Sequence, residues 1–168
     1  MPIIYNKVPS LWDLKGRDGS HRRARRQPDP GIRERKAFKA LIFGIGTDII
    51  EVQRVGDKLA RTKVLKEKVF TPREIKYCEA RKMSARHFAA RFSAKEAFLK
   101  AMGTGWSGGR TFDEVEVIND ALGKPELFVY GKVKEFCEAH AITGMEVSLS
   151  HIKDLAQAVV VLETKLKE

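Results

Sequence analysis

The stretch RFSAKEAFLKAMGTG, Arg91 to Gly105, predicts the central helix of the domain. With the preceding turn, Phe88, Phe92, Lys95, Glu96 and Leu99 fall broadly along one side at helical spacing. Glu96 therefore borders the packing stripe, with Lys100 one turn further on. Gly103 supplies a natural left-handed stop, and Ser84 is the expected N-cap, so the spacing predicts a helix from about 84 to 102.

Working outward, FTPREI is a strong helix start, with Thr71 as N-cap, Pro72 at the first position and Glu74 at the third. A short helix is expected over residues 54–66. Before it, LIFGIGTDIIEV reads as a buried strand punctuated by two glycines. Downstream, TFDEVEVIND alternates Phe112, Val115 and Val117 with charged positions, as in a strand exposed on one face. A turn at Gly123-Lys124-Pro125 leads to the strand ELFVY, then a helix over 131–140. The strands MEVSLSH and AQAVVVLE are joined by IKDL, so they pair antiparallel. The order β-α-α-α-β-β-α-β-β predicts an α+β domain, helices packed on a mainly antiparallel sheet.

The net charge of +10 is unevenly placed. Residues 1–40 hold 11 Lys/Arg against 4 Asp/Glu, whereas residues 41–168 hold 21 against 18. Residues 1–40 are read as a basic N-terminal extension, mostly disordered because KGRDGSHRRARRQPDPGIRERK has little apolar surface to bury. A solvated tail or overlong translation start, an Arg-rich targeting peptide and a nucleic-acid arm all remain open for it. The folded domain is expected over 41–168. Cys78 and Cys137 lack zinc or redox spacing and read as reduced, partly buried thiols of a cytoplasmic protein. No apolar run approaches the roughly 20 residues of a membrane span, and the N-terminus lacks the apolar segment of a secretory signal. No membrane association is expected.

Asp48 follows Gly46 by two residues in the first strand, where burying a carboxylate is costly without a cation or donors. Glu96 poses the same problem. One shared cation would answer both, and magnesium suits two carboxylates completed by substrate phosphate and water. Lys100 would then contact phosphate. The alternative is an ordinary Glu96–Lys100 helix pair with Asp48 bonded to backbone amides. GTGWSGG and GIGTD match neither common nucleotide-binding spacing.

Taken together, GIGTDIIEVQRV, FTPREIKYCE, RHFAARFSAKEAFLKAMGTG, GKPEL and VSLSHIKDLAQAVVVLE occur in an order that resembles the holo-[acyl-carrier-protein] synthases, the small trimeric class of phosphopantetheinyl transferases. The resemblance covers about residues 43–163. It implies the phosphopantetheinyl transferase fold and transfer of 4′-phosphopantetheine from coenzyme A to a serine of apo acyl carrier protein. Adenosine 3′,5′-bisphosphate would be released, in support of fatty acid biosynthesis. It further implies Asp48 and Glu96 as magnesium ligands, Lys100 as the phosphate-contacting lysine, and Gly103, Thr104 and Gly105 along the coenzyme A site. Arg54 and Arg61 match positions that meet the acidic carrier protein. His151 matches a polar position near the coenzyme, or is a surface histidine at a strand end; His87 and His140 read as structural. A homotrimer with sites between subunits is implied as well. The alternative function is a basic nucleic-acid-binding module using the Arg22–Arg26 cluster, which lacks a reader motif or interleaved aromatics.

Overall fold

The apolar run Ala40–Glu51 forms strand β1 in the computed structural model, which describes residues 40–61, 63–105 and 108–165. The basic extension expected over residues 1–40 lies outside the described residues, except that β1 already begins at Ala40. Helices α1 (Val52–Arg61), α2 (Lys63–Val69), α3 (Pro72–Glu79) and α4 (Ser84–Met102) follow. After a single 3-10 turn at Phe112–Glu114 come β2 (Val115–Asn119), β3 (Pro125–Val129), α5 (Gly131–Ala139), β4 (Ile142–His151) and β5 (Leu155–Lys165). Among the described residues, β1, β5 and β4 form an antiparallel sheet in that order, and β2 pairs antiparallel with β3. The α+β class and antiparallel pairing agree with expectation.

The single helix expected over 54–66 is two helices. Val52, Val55 and Leu59 share one side of α1, but Leu65 and Val69 would lie about a quarter-turn away on a continuous helix at ~100° per residue. Dividing the segment lets both sets pack inward: Val52, Val55 and Val69 are buried, with Leu59 and Leu65 packed against the same cluster.

The capping box forms as read. The Glu74 N–H donates to Thr71 Oγ1 at 3.3 Å, and the Thr71 N–H donates to Glu74 Oε2 at 3.0 Å. Ser84 is not the cap of α4. The helix is entered through Met83, whose carbonyl accepts the Arg86 N–H at 3.0 Å, so the backbone turn starts it one residue early. Gly103 closes it at φ 73°, as expected.

Helix α4 is buried on most sides and belongs to both hydrophobic clusters. Its Ala94, Ala97 and Ala101 are small and fully or nearly fully buried. Opposite them, Gly44 and Gly46 bring β1 against the helix so closely that a Cβ on Gly44 would overlap the Ala101 carbonyl oxygen. One on Gly46 would overlap the Ala97 carbonyl. This contact requires glycine, and it sets the site. Side chains alternate along a strand, so Asp48 points to the same face as Gly46, toward α4. The Ser93 hydroxyl pins the strand there by donating to the Asp48 carbonyl at 2.8 Å.

Glu116 departs from the exposed face expected of β2. It is 1% exposed, because it accepts from Thr71 Oγ1, from Arg73 Nη1 at 3.0 Å and from Tyr130 Oη at 2.8 Å. Three donors from outside its own strand compensate the burial of its charge.

Candidate active site

Asp48 and Glu96 line one cavity of about 480 Å³, held between α1, α2 and α4. Its other polar walls are Arg54 and Lys58, one turn apart on α1, and the remaining lining is largely apolar, including Phe70, Phe92 and Phe112. Phe92 and Phe112 stack at 5.2 Å with 21° between their planes. The cavity thus sets two carboxylates and two cations within an aromatic enclosure.

Lys100 reaches Asp48 rather than serving only as the partner of Glu96 at i,i+4. Its ammonium lies 2.9 Å from Asp48 Oδ1 and donates to the Thr47 carbonyl at 3.0 Å. Its side chain is 53% exposed and that of Asp48 15%, so the pair is a modest stabilising element. Its significance is chemical: the Asp48 carboxylate already holds a cation. Among the described residues, no group of three or more His, Cys, Asp or Glu gathers to hold a metal. A magnesium ion completed by phosphate and water needs only one or two carboxylates, and the hard oxygen donors of Asp48 and Glu96 fit that requirement.

Gly103, Thr104, Gly105 and His151 do not line this cavity. The glycine turn leaves the C-terminus of α4 with Gly103 and Gly105 both at positive φ. Arg110 Nη1 donates to Thr104 Oγ1 at 3.4 Å, and Lys132 donates to the Gly108 carbonyl at 3.3 Å, so two cations border the loop. Arg54 and Arg61 are exposed on α1.

His151, at the end of β4, faces His87 of α4 edge-on at 5.8 Å, and Tyr77 meets His87 at 5.9 Å. His87 is therefore part of the surroundings of His151, which its position in the sequence did not reveal. Burial, and then the nearby Arg91 guanidinium, pull the His87 pKa down to about 4. Its folded pKa lies below the unfolded value of ~6.5, so protonation favours the unfolded chain. His87 imposes no penalty above that value, and stability is lost as pH falls from there through about 4. Ring resonances followed by NMR should show a midpoint near 4 for His87; an ordinary midpoint would contradict this packing. His140 is structural as expected, stacked on Phe136 at 3.9 Å with Nδ1 2.9 Å from the Phe136 carbonyl.

Sequence reasoning missed three features. Lys58 lines the cavity, and its i+4 spacing from Arg54 was the available signal. Lys95 is fully buried and paired at 2.7 Å with Glu74, also fully buried. The helical spacing placed Lys95 inward, but no local pattern named its partner. Finally, Phe112 was read as a strand position, whereas it sits in the 3-10 turn and forms a cavity wall.

A family model for the 4′-phosphopantetheinyl transferase superfamily matches residues 44–160. The chain is 45% identical over 124 residues to the holo-[acyl-carrier-protein] synthase of Geotalea daltonii, covering 73% of this chain and 99% of that one. Among solved structures it is similar to holo-[acyl-carrier-protein] synthase from Neisseria meningitidis, at TM-score 0.68 and 34% identity over 74% of this chain and all of that one. It is similar too to the Bacillus anthracis synthase in complex with CoA (3′,5′-ADP), at TM-score 0.62 and 36% identity over 74% of this chain and 98% of the other.

Proposed function

The chain belongs to the 4′-phosphopantetheinyl transferase superfamily, and on that premise we propose that Asp48, Glu96 and Lys100 carry out the holo-[acyl-carrier-protein] synthase reaction. The enzyme transfers 4′-phosphopantetheine from coenzyme A to a serine hydroxyl of apo acyl carrier protein, in support of fatty acid biosynthesis. The transferase domain spans residues 40–168, since Ala40 already opens β1, and residues 1–39 precede it.

The observation that carries the site assignment is the contact of Lys100 with Asp48, on a carboxylate that shares its cavity with Glu96. Asp48 and Glu96 would hold magnesium together with the pyrophosphate of coenzyme A. Bound there, the metal supplies positive charge that neutralises the leaving bridging oxygen. Lys100, half exposed and mobile on its stem, turns its ammonium to the phosphate as a second cation. The glycine turn at Gly103-Thr104-Gly105, bordered by Arg110 and Lys132, lets backbone approach the coenzyme, and His151 contacts it from the end of β4. Mass spectrometry of an apo carrier protein incubated with coenzyme A, magnesium and this enzyme tests the function. The expected result is a mass gain of one phosphopantetheine, lost on chelation of the metal.

Arg54 and Arg61 stand seven residues apart on α1, about two turns and hence on one side, and Arg54 enters the cavity with Lys58. This basic side docks the acidic carrier protein, so opposite charge steers the encounter. Reversing both arginines to Glu should raise KM for the carrier far more than KM for coenzyme A. Salt should impair the native enzyme in the same selective way. Unchanged carrier kinetics would place docking elsewhere.

The homotrimer rests on an uncovered sheet face. Ile45 and Ile49 of β1 are 60% and 61% exposed, with Val159 of β5 beside them. Positions alternating with these turn inward, with Gly46 of β1 and Ala158 and Val160 of β5 buried, and an apolar outer face of this kind marks an interaction surface. Light scattering should give three times the chain mass; a fully active monomer would refute this assembly. Among the described residues no helix is long and apolar enough to cross a membrane. Both buried cysteines are free thiols, which suits the cytoplasm.

A further inference from the structure

Lys95 precedes Glu96 on α4, yet it points away from solvent and contributes no atom to the cavity lining. Its ammonium has three N–H groups and three acceptors: Glu74 Oε2 at 2.7 Å, the Phe112 carbonyl at 3.0 Å and the Val115 carbonyl. Glu74 is engaged at both oxygens. Its Oε2 also accepts the Thr71 N–H, and its Oε1 accepts the Val117 N–H at 3.0 Å. One pair of charges therefore ties α3, α4, the 3-10 turn and β2 at a single point. A buried ion pair is weak evidence of stabilisation, because apolar side chains of similar volume often serve as well.

Two of the groups meeting Lys95 belong to cavity walls. Phe112 is held through its carbonyl, and its ring stacks on Phe92; the ring of Phe70 lies 5.5 Å from the ammonium. All three rings line the cavity that contains Glu96. Arg54 and Lys58 open onto this same cavity, while on the coenzyme's side only Asp48 and Glu96, which would hold the metal and the pyrophosphate between the two substrates, line it; Lys100, Gly103, Thr104, Gly105 and His151 do not. The aromatic wall therefore faces the acceptor. We infer that Lys95, braced by Glu74, is a positioning residue: it fixes Phe112 and Phe70 so that the carrier protein's serine-bearing segment enters beside Glu96. The inference rests on the transferase reading given above.

The test is steady-state kinetics on the full chain with apo carrier protein and coenzyme A varied separately. Lys95→Met should raise KM for the carrier about tenfold or more, as expected when a remote change displaces a positioned group. KM for coenzyme A should stay within about twofold of native. Phe112→Ala should give the same selective rise, and the double variant should be no worse than the worse single one, since both act on one wall. If Lys95→Met does not fold, Glu74→Gln decides. It keeps an acceptor for the Val117 N–H while loosening the ammonium, and it should show a smaller carrier-selective rise. Equal changes in both KM values, a fall confined to kcat, or multiplying effects in the double variant would overturn the inference. Failure of the transferase reading looks different, because the native chain itself would then transfer nothing.

Discussion

Replacing Asp48 with Ala, or Glu96 with Ala, is expected to abolish transfer in a protein that remains folded. Loss of a group that stabilises developing charge in a water-poor site costs about 10²–10³ in kcat, and each substitution removes one of the two carboxylates that line the cavity among the described residues. The fold should survive for different reasons at the two positions. Asp48→Ala frees Lys100, whose half-exposed ammonium returns to water at little cost, and the Ser93 bond to the backbone carbonyl of residue 48 is untouched. Glu96→Ala replaces a half-buried acid with the best helix former. Circular dichroism and turnover should be measured on the same samples, with magnesium binding followed by calorimetry. Native-like turnover by either folded variant would end the assignment of these carboxylates.

The second large effect comes from a residue with no side chain. Gly46→Ala would drive a methyl group into the Ala97 carbonyl and the Ala101 N–H at the crossing of β1 with α4. Neither backbone can yield locally, because both belong to the core of the domain. A destabilisation at or beyond the usual overpacking range of about 1–3 kcal/mol is expected, lowering Tm by roughly 4 °C for each kcal/mol. Activity should fall as well, since Asp48 lies two residues along the displaced strand. Gly56→Ala is the control with the opposite sign. Gly56 lies inside α1 at ordinary φ, and its added Cβ meets only the Ala85 methyl at 3.5 Å. Helix propensity alone then favours Ala by about 0.8–1 kcal/mol. Thermal melts that rank the two variants the other way would refute the close crossing.

Features governed by neighbours in the chain were legible in the sequence alone. The capping box at Thr71 and Glu74, the left-handed stop at Gly103 and the antiparallel return from β4 to β5 depend on contacts within a few residues, so their spelling specifies them. Of the candidate site, the sequence marked the two carboxylates that the fold brings to one cavity. Asp48 and Glu96 stood out because a carboxylate in an apolar strand and another beside an apolar stripe both need an unseen partner. What a residue pairs with across the fold is another matter, because many partners satisfy one local pattern. The sequence offered Lys100 a phosphate or Glu96 as its partner; the glycine crossing of β1 on α4 adds Asp48 by setting its carboxylate 2.9 Å from the ammonium. Glu116 alternates like a solvent-facing strand residue, yet Thr71, Arg73 and Tyr130 converge on it from other elements and make burial affordable. Helical spacing turned Lys95 inward and the capping box accounted for Glu74, twenty-one positions away, but neither pattern pointed to the other residue. Only tertiary packing shows them as one buried pair, because the acceptors that complete the ammonium are backbone carbonyls which no sequence pattern encodes.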